Sequence, residues 1–144
     1  MVAEQVRVAN LKLVRNVIVN GEAQFIQQLI SNVSNENEAD AIILVGGTGF
    51  GPRDMTCEAI DTFVERRIEG FAGAFRSLLR KEMGLGPHSW LSRATAGVYN
   101  QCLVFALTGR ANDVKRAMET IIVPTLSDAV ELATGRLRQI QLLA

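Results

Sequence analysis

Gly46-Gly47-Thr48-Gly49 follows directly on the apolar run Ala41-Ile42-Ile43-Leu44-Val45, and Thr56 a few residues later can open a helix. Glycines carry no Cβ, so their backbone N–H groups can approach an anion, and a helix start favours negative charge. The chemistry available to such a loop is the holding of phosphate; a tight turn would need the same glycines. Asp54 stands just before Thr56, where a carboxylate can either hold Mg²⁺ through oxygen or cap the helix. The other reactive side chains are sparse. His88 is the single histidine and reads as a plain loop residue, and Trp90 beside it reads as a packing residue. Cys57 and Cys102 have no metal-ligand spacing and read as small buried apolar groups.

The apolar periodicity supplies the elements that would carry these residues. Val2, Val6 and Ala9 fit a short helix, Leu11–Val19 alternates as a strand near an edge, and Asn20-Gly21 marks a turn. Phe25, Ile26, Leu29, Ile30 and Val33 recur at three and four, which predicts an amphipathic helix. The run 41–45 is continuously apolar, the pattern of a strand buried on both faces of a parallel sheet. A helix capped by Thr56 should carry Ile60, Phe63 and Val64, and a second one Phe71, Phe75, Leu78 and Leu79, broken at Gly84, Gly86 and Pro87. Ala94–Val98, a Tyr99-Asn100 turn and Cys102–Leu107 read as a hairpin. Asn112 or Asp113 can cap a helix with Val114, Ala117, Met118, Ile121 and Ile122 inward, and Pro124 opens a last one closed by Gly135. Arg66-Arg67 and Arg80-Lys81 read as solvated helix faces. Strands alternating with helices predict a layered α/β fold.

The chain has 144 residues, the size of one domain, so a single domain over 1–144 is expected. Apolar residues make up 48% and charged residues 21%, which fits a folded globular protein. Fifteen basic and fifteen acidic residues cancel, so the electrostatic footprint of a nucleic-acid partner is missing. No basic-then-apolar leader and no membrane-length apolar run are present, so the expectation is a cytoplasmic protein with no membrane partner.

The continuation Gly46-Gly47-Thr48-Gly49-Phe50-Gly51-Pro52-Arg53-Asp54-Met55-Thr56-Cys57-Glu58-Ala59 resembles the signature of the molybdopterin adenylyltransferase family, G-G-T-G-x-x-P-R-D-V-T-P-E-A. That family includes MogA, MoaB and the corresponding domain of gephyrin. The resemblance continues through Glu69-Gly70-Phe71, Leu91-Ser92-Arg93-Ala94, Ala96-Gly97-Val98 and the strand at Cys102–Leu107. It implies a three-layer α/β fold, a mostly parallel sheet with helices on both faces. It also implies a role in molybdenum cofactor biosynthesis: binding molybdopterin and, with Mg-ATP, transferring AMP onto its terminal phosphate. Nucleotidyl transfer of this kind rests on positioning and charge neutralisation. On the matching positions, Gly46, Gly47, Thr48 and Gly49 would cradle phosphate, and Asp54 would be the acid working with Mg²⁺. Ser92 and Arg93 would lie on the pterin side, with a structural ion pair the other reading of Arg93. Family members are commonly trimers, so a homo-oligomer is expected.

Three departures bear on turnover. Active members carry V-P-D-E where this chain has Val19-Asn20-Gly21-Glu22, so Gly21 replaces a second acid and Glu22, one position on, is its candidate substitute. The family's P-G-S-P or P-G-N-P loop is Thr108-Gly109-Arg110-Ala111 here. Gly109 is kept, and Arg110 could grip a phosphate or fill the pocket. The family's usual first strand has no counterpart, which would leave backbone groups unpaired unless Met1–Val19, a rearranged sheet or another chain compensates. Three functional readings follow: an adenylyltransferase with an altered acid, a non-catalytic binding or assembly protein of the same pathway, and a nucleotide-binding module unrelated to molybdenum.

Overall fold

A computed structural model describes residues 2–135, so the extreme ends of the expected 1–144 domain lie outside the described residues. In chain order the elements are α1 (Val2–Val8), α2 (Ala23–Asn35), β1 (Ala41–Val45), α3 (Thr56–Asp61), β2 (Arg66–Arg67), α4 (Glu69–Lys81), a 3₁₀ turn (Gly86–Leu91), β3 (Thr95–Tyr99), β4 (Cys102–Leu107), α5 (Ala111–Ala117), a π turn (Met118–Ile122) and α6 (Val123–Thr134). The strands form one four-stranded sheet in the order β1-β4-β3-β2.

The layered α/β architecture is the expected one, with helices on both faces, and the sheet itself is mixed. β1 runs parallel to β4, with Ala41 opposite Leu103 and Val45 opposite Leu107, whereas β3–β4 and β2–β3 are antiparallel. All six residues of β4 are buried, as the interior position of that strand requires. Its pleat then divides the core in two. Leu103, Phe105 and Leu107 pack with Phe71, Phe75, Leu78 and Leu79 of α4 and with Val114, Met118 and Ile122 on one face. Val104 and Ala106 pack with Ile26 and Ile30 of α2 and with Ala59 and Ile60 on the other. Each large side chain buried this way contributes about 1.5–3 kcal/mol.

Several local expectations give way. The 11–19 stretch is not a strand: no backbone hydrogen bond holds residues 12–19 among those described, and Leu13, Val14, Val17 and Ile18 are exposed. β1, whose composition is that of an interior strand, is an edge strand with half-exposed residues. The family's usual first strand has no counterpart in the described sheet, in line with the expectation, but among the described residues neither 2–19 nor a further strand takes its place at that edge. Arg66-Arg67 lies in a two-residue strand, not on a helix. Phe63 and Val64 fall beyond α3; Phe63 stacks on Tyr99 with ring centroids 4.5 Å apart. The hairpin turn is Asn100-Gln101, one residue later than expected, with both residues at positive φ as a tight two-residue hairpin turn requires.

Helix ends also differ in mechanism. Asp113 does not cap α5; its carboxylate accepts from the Thr108 hydroxyl at 3.1 Å and pairs with Arg110. Pro124 and Gly135 punctuate α6 as expected, Gly135 ending it at φ 70°. Pro124 cannot donate a helical bond, and the chain widens into the π turn immediately before it.

Candidate functional site

The glycine loop leaves the C-terminal end of β1, where open α/β sheets present ligands. The Gly46 amide still completes the sheet by donating to the Leu107 carbonyl at 2.9 Å. The chain then turns back through two left-handed residues, Gly46 at φ 95° and Gly47 at φ 65°. Thr56 fixes that turn. Its hydroxyl donates to the Gly46 carbonyl at 2.8 Å and its amide to the Gly47 carbonyl at 3.0 Å. Thr56 is therefore no helix cap, as its type had suggested; it is the tie between the loop and the start of α3, and a Cβ on Gly47 would collide with its hydroxyl.

Among the described residues the amides of Gly47, Thr48 and Gly49 have no protein acceptor, and Gly47 and Gly49 are exposed. Three successive unpaired donors in a loop are an anion-binding concavity. α3 has only six residues, so the loop amides rather than a helix dipole carry this property. Asp54 folds back over the loop. Its Oδ2 accepts from the Gly51 amide at 3.0 Å, and a Cβ on Gly49 would lie 2.6 Å from the same oxygen. The absence of a side chain at Gly49 is what lets the carboxylate sit there. Asp54 does not cap α3, whose N-cap is Met55 without a side-chain bond.

Arg93 reaches the loop from the segment before β3. Its Nε donates to the Thr48 carbonyl at 3.0 Å, and its two terminal nitrogens pair with Glu58 at 2.5 and 3.1 Å. The Phe50 ring lies over the guanidinium, 5.9 Å from its carbon to the centroid. The Arg93 hydrogen bond holds the Glu58 carboxyl below its ordinary range. Glu58 was visible in the sequence only as part of the signature, and its partner Arg93 lies 35 residues away, so no local spacing pointed to the pair. Cys57 is buried under the pair, and burial pushes its thiol up to about 11, so it stays protonated and is no nucleophile.

The other predicted residues divide. Gly109 is adjacent: a Cβ there would lie 3.7 Å from the Gly46 Cα, so the β4–α5 loop borders the glycine loop. Arg110 is held by Asp113 at 2.6 Å, with its side chain half exposed. Ser92 immediately precedes Arg93, half-buried, its amide donating to Ser89. Glu22 sits exposed before α2; its carboxylate accepts from Gln24 and its backbone bonds to Asn20, Phe25 and Ile26, so among the described contacts it is not brought against Asp54. His88 and Trp90 are exposed on the 3₁₀ turn. Among the described residues no group of three or more His, Cys, Asp or Glu could hold a metal by itself.

Residues 1–128 match the family described as "Probable molybdopterin binding domain". A molybdenum cofactor biosynthesis protein B of Staphylococcus aureus (strain MRSA252) is 40% identical over 99 residues, which is 69% of this chain and 58% of that protein. One from Bacillus subtilis (strain 168) is 37% identical over 113 residues, 78% of this chain and 66% of its own length. The matched region thus spans less than two thirds of these relatives. A crystal structure of molybdenum cofactor biosynthesis protein B superimposes with a TM-score of 0.88 at 29% identity, covering 93% of this chain and 83% of that one.

Proposed function

The chain belongs to the probable molybdopterin binding domain family, and on that premise we propose that it binds molybdopterin and ATP at the glycine loop, with transfer of AMP as the reaction class. The observation that carries this reading is the run of unpaired amides at Gly47, Thr48 and Gly49 beside Asp54. In the reaction a terminal phosphate oxygen of molybdopterin forms a bond to the α-phosphorus of ATP. The bond from that phosphorus to the pyrophosphate oxygen breaks, and pyrophosphate leaves. Charge gathers on the phosphoryl oxygens as this happens, and fixed amide donors stabilise it without reorganising.

Mg²⁺ fits this site alongside a nucleotide. Among the described residues Asp54 Oδ1 has no hydrogen-bond partner, and one carboxylate completed by phosphate oxygens is an ordinary way to hold the ion. Bound there, the ion would neutralise phosphate charge. On this reading Ser92 would contribute to the pterin side, and Gly109 would border the site from the neighbouring loop. We propose that a homo-oligomer, trimeric by family resemblance, is the working form in the cytoplasm.

One observation favours a second reading, in which the chain binds without turning over. Gly21 stands where the second acid would be, and the carboxylate of its candidate substitute Glu22 accepts from Gln24 and makes no described contact with Asp54. The test is incubation with molybdopterin and Mg-ATP, following adenylylated molybdopterin and pyrophosphate. Product that vanishes in Asp54→Ala supports the enzyme; retained molybdopterin binding without product supports the binding protein. Loss of both in the wild-type chain overturns the proposal.

A further inference from the structure

Resting on that reading, we infer that Arg93 and Glu58 form a positioning clamp for the glycine loop and that Arg93 does not itself grip the ligand. The guanidinium is already committed. Nε holds the Thr48 carbonyl, both terminal nitrogens hold Glu58, one of them also reaches the Asp54 carbonyl at 3.5 Å, and Phe50 covers a face. The carbonyl it fixes belongs to the residue in the middle of the unpaired amide run, and the second belongs to the acid beside it. Orienting the Thr48–Gly49 peptide sets where the Gly49 amide points, while the Thr48 amide shares its peptide with the Gly47 carbonyl that the Thr56 amide holds. Glu58 anchors the clamp from α3, the same element that Thr56 ties to Gly46 and Gly47. The loop is thus held at two points by one short helix, through Thr56 at its entry and through the ion pair near its middle. A planar fork is needed for this geometry, because one lysine nitrogen cannot reach the Thr48 carbonyl and both Glu58 oxygens together.

The experiment compares wild type, Arg93→Met, Arg93→Lys, Glu58→Gln and the Arg93→Met/Glu58→Gln double variant. Binding of Mg-ATP and of molybdopterin is titrated, and amide hydrogen exchange is followed at Gly51, Asp54 and Thr56. The expected result is about tenfold weaker binding in each single variant. The double variant should be no weaker than Arg93→Met, because removing either partner opens the same clamp. Lysine should not rescue, and loop exchange should rise in every variant. A Glu58→Gln protein that binds as well as wild type or better, beside an Arg93→Met protein that does not bind, overturns the inference and makes Arg93 a ligand contact. Unchanged loop exchange in both single variants also overturns it. If the wild type binds neither ligand, the functional proposal fails while the exchange measurement still decides the clamp.

Discussion

Thr56 and Glu58 show how little of a side chain's role is carried by its type. Each stands where a helix start would use a polar residue, yet Thr56 bonds to the glycine loop and Glu58 to Arg93 from another part of the chain. The Gly47 turn depends on the first of these ties. Gly47→Ala should destabilise the protein by about 1–3 kcal/mol, since alanine resists a left-handed φ and its Cβ meets the Thr56 hydroxyl. Gly73→Ala in α4 should do the reverse, stabilising by about 0.5–1 kcal/mol, because the position is helical and open. Denaturant midpoints read both, and a midpoint for Gly47→Ala at or above wild type would remove Thr56 from its role. Glu58 makes a separate prediction. Its carboxyl titrates below its unfolded value, chiefly through the Arg93 hydrogen bond, so the pair's stabilisation is present above the unfolded value and is lost as the pH falls through the folded one. Both side chains are partly exposed, so the whole contribution is about 0–1 kcal/mol. Midpoints measured from neutrality down through the carboxylate range should converge between wild type and Glu58→Gln, and a gap that widens on acidification would contradict the sign.

At the level of elements, the strongly patterned stretches were legible in the sequence. α2, α4 and the β3–β4 hairpin bury most of the residues their periodicity selects, because those faces meet the sheet, with Phe25 of α2 left exposed and Leu29 only partly buried. The glycine loop and Asp54 were legible through their signature. What escaped was whatever depends on a distant partner. Leu11–Val19 has strand chemistry but no described neighbour to bond, and β1 has interior-strand chemistry but lies at an edge. Glu22 and Asp54 look like a pair of acids in one dimension and are not in contact in three. The β1 edge can be tested residue by residue. Asp40 accepts from Leu103 and Gly46 donates to Leu107, so the alternation of a parallel ladder turns Ile42 and Leu44 toward β4 and Ile43 outward. Amide exchange of the isolated chain should therefore be slow at Ile42 and Leu44 and fast at Ile43. Slow exchange at Ile43 in a dilute monomer would mean that another segment covers the edge.

For the whole molecule, that edge and the exposed apolar stretch act together. Val14 and Val17 are almost half exposed and Ile18 is fully exposed, while Arg15 pairs with Glu38 at 3.0 Å, shortly before β1. Unpaired strand edges and exposed β-branched residues are the usual sites of association, and native proteins normally blunt them with charge. Here the formal net charge is zero, so little long-range repulsion opposes contact between copies. The molecule should associate as its concentration rises, and sedimentation velocity over a wide concentration range should show species heavier than the monomer. Ile18→Lys places a charge on a side chain that touches nothing, so it should leave the denaturant midpoint nearly unchanged while shifting the distribution toward monomer. Repeating the exchange measurement on the associated form then separates two modes. Protection appearing at Ile43 would show that association completes the sheet, whereas an exposed Ile43 in a stable oligomer would place the contact on the apolar stretch alone. A monomer at every concentration would show that the open edge and the exposed residues do not suffice for association.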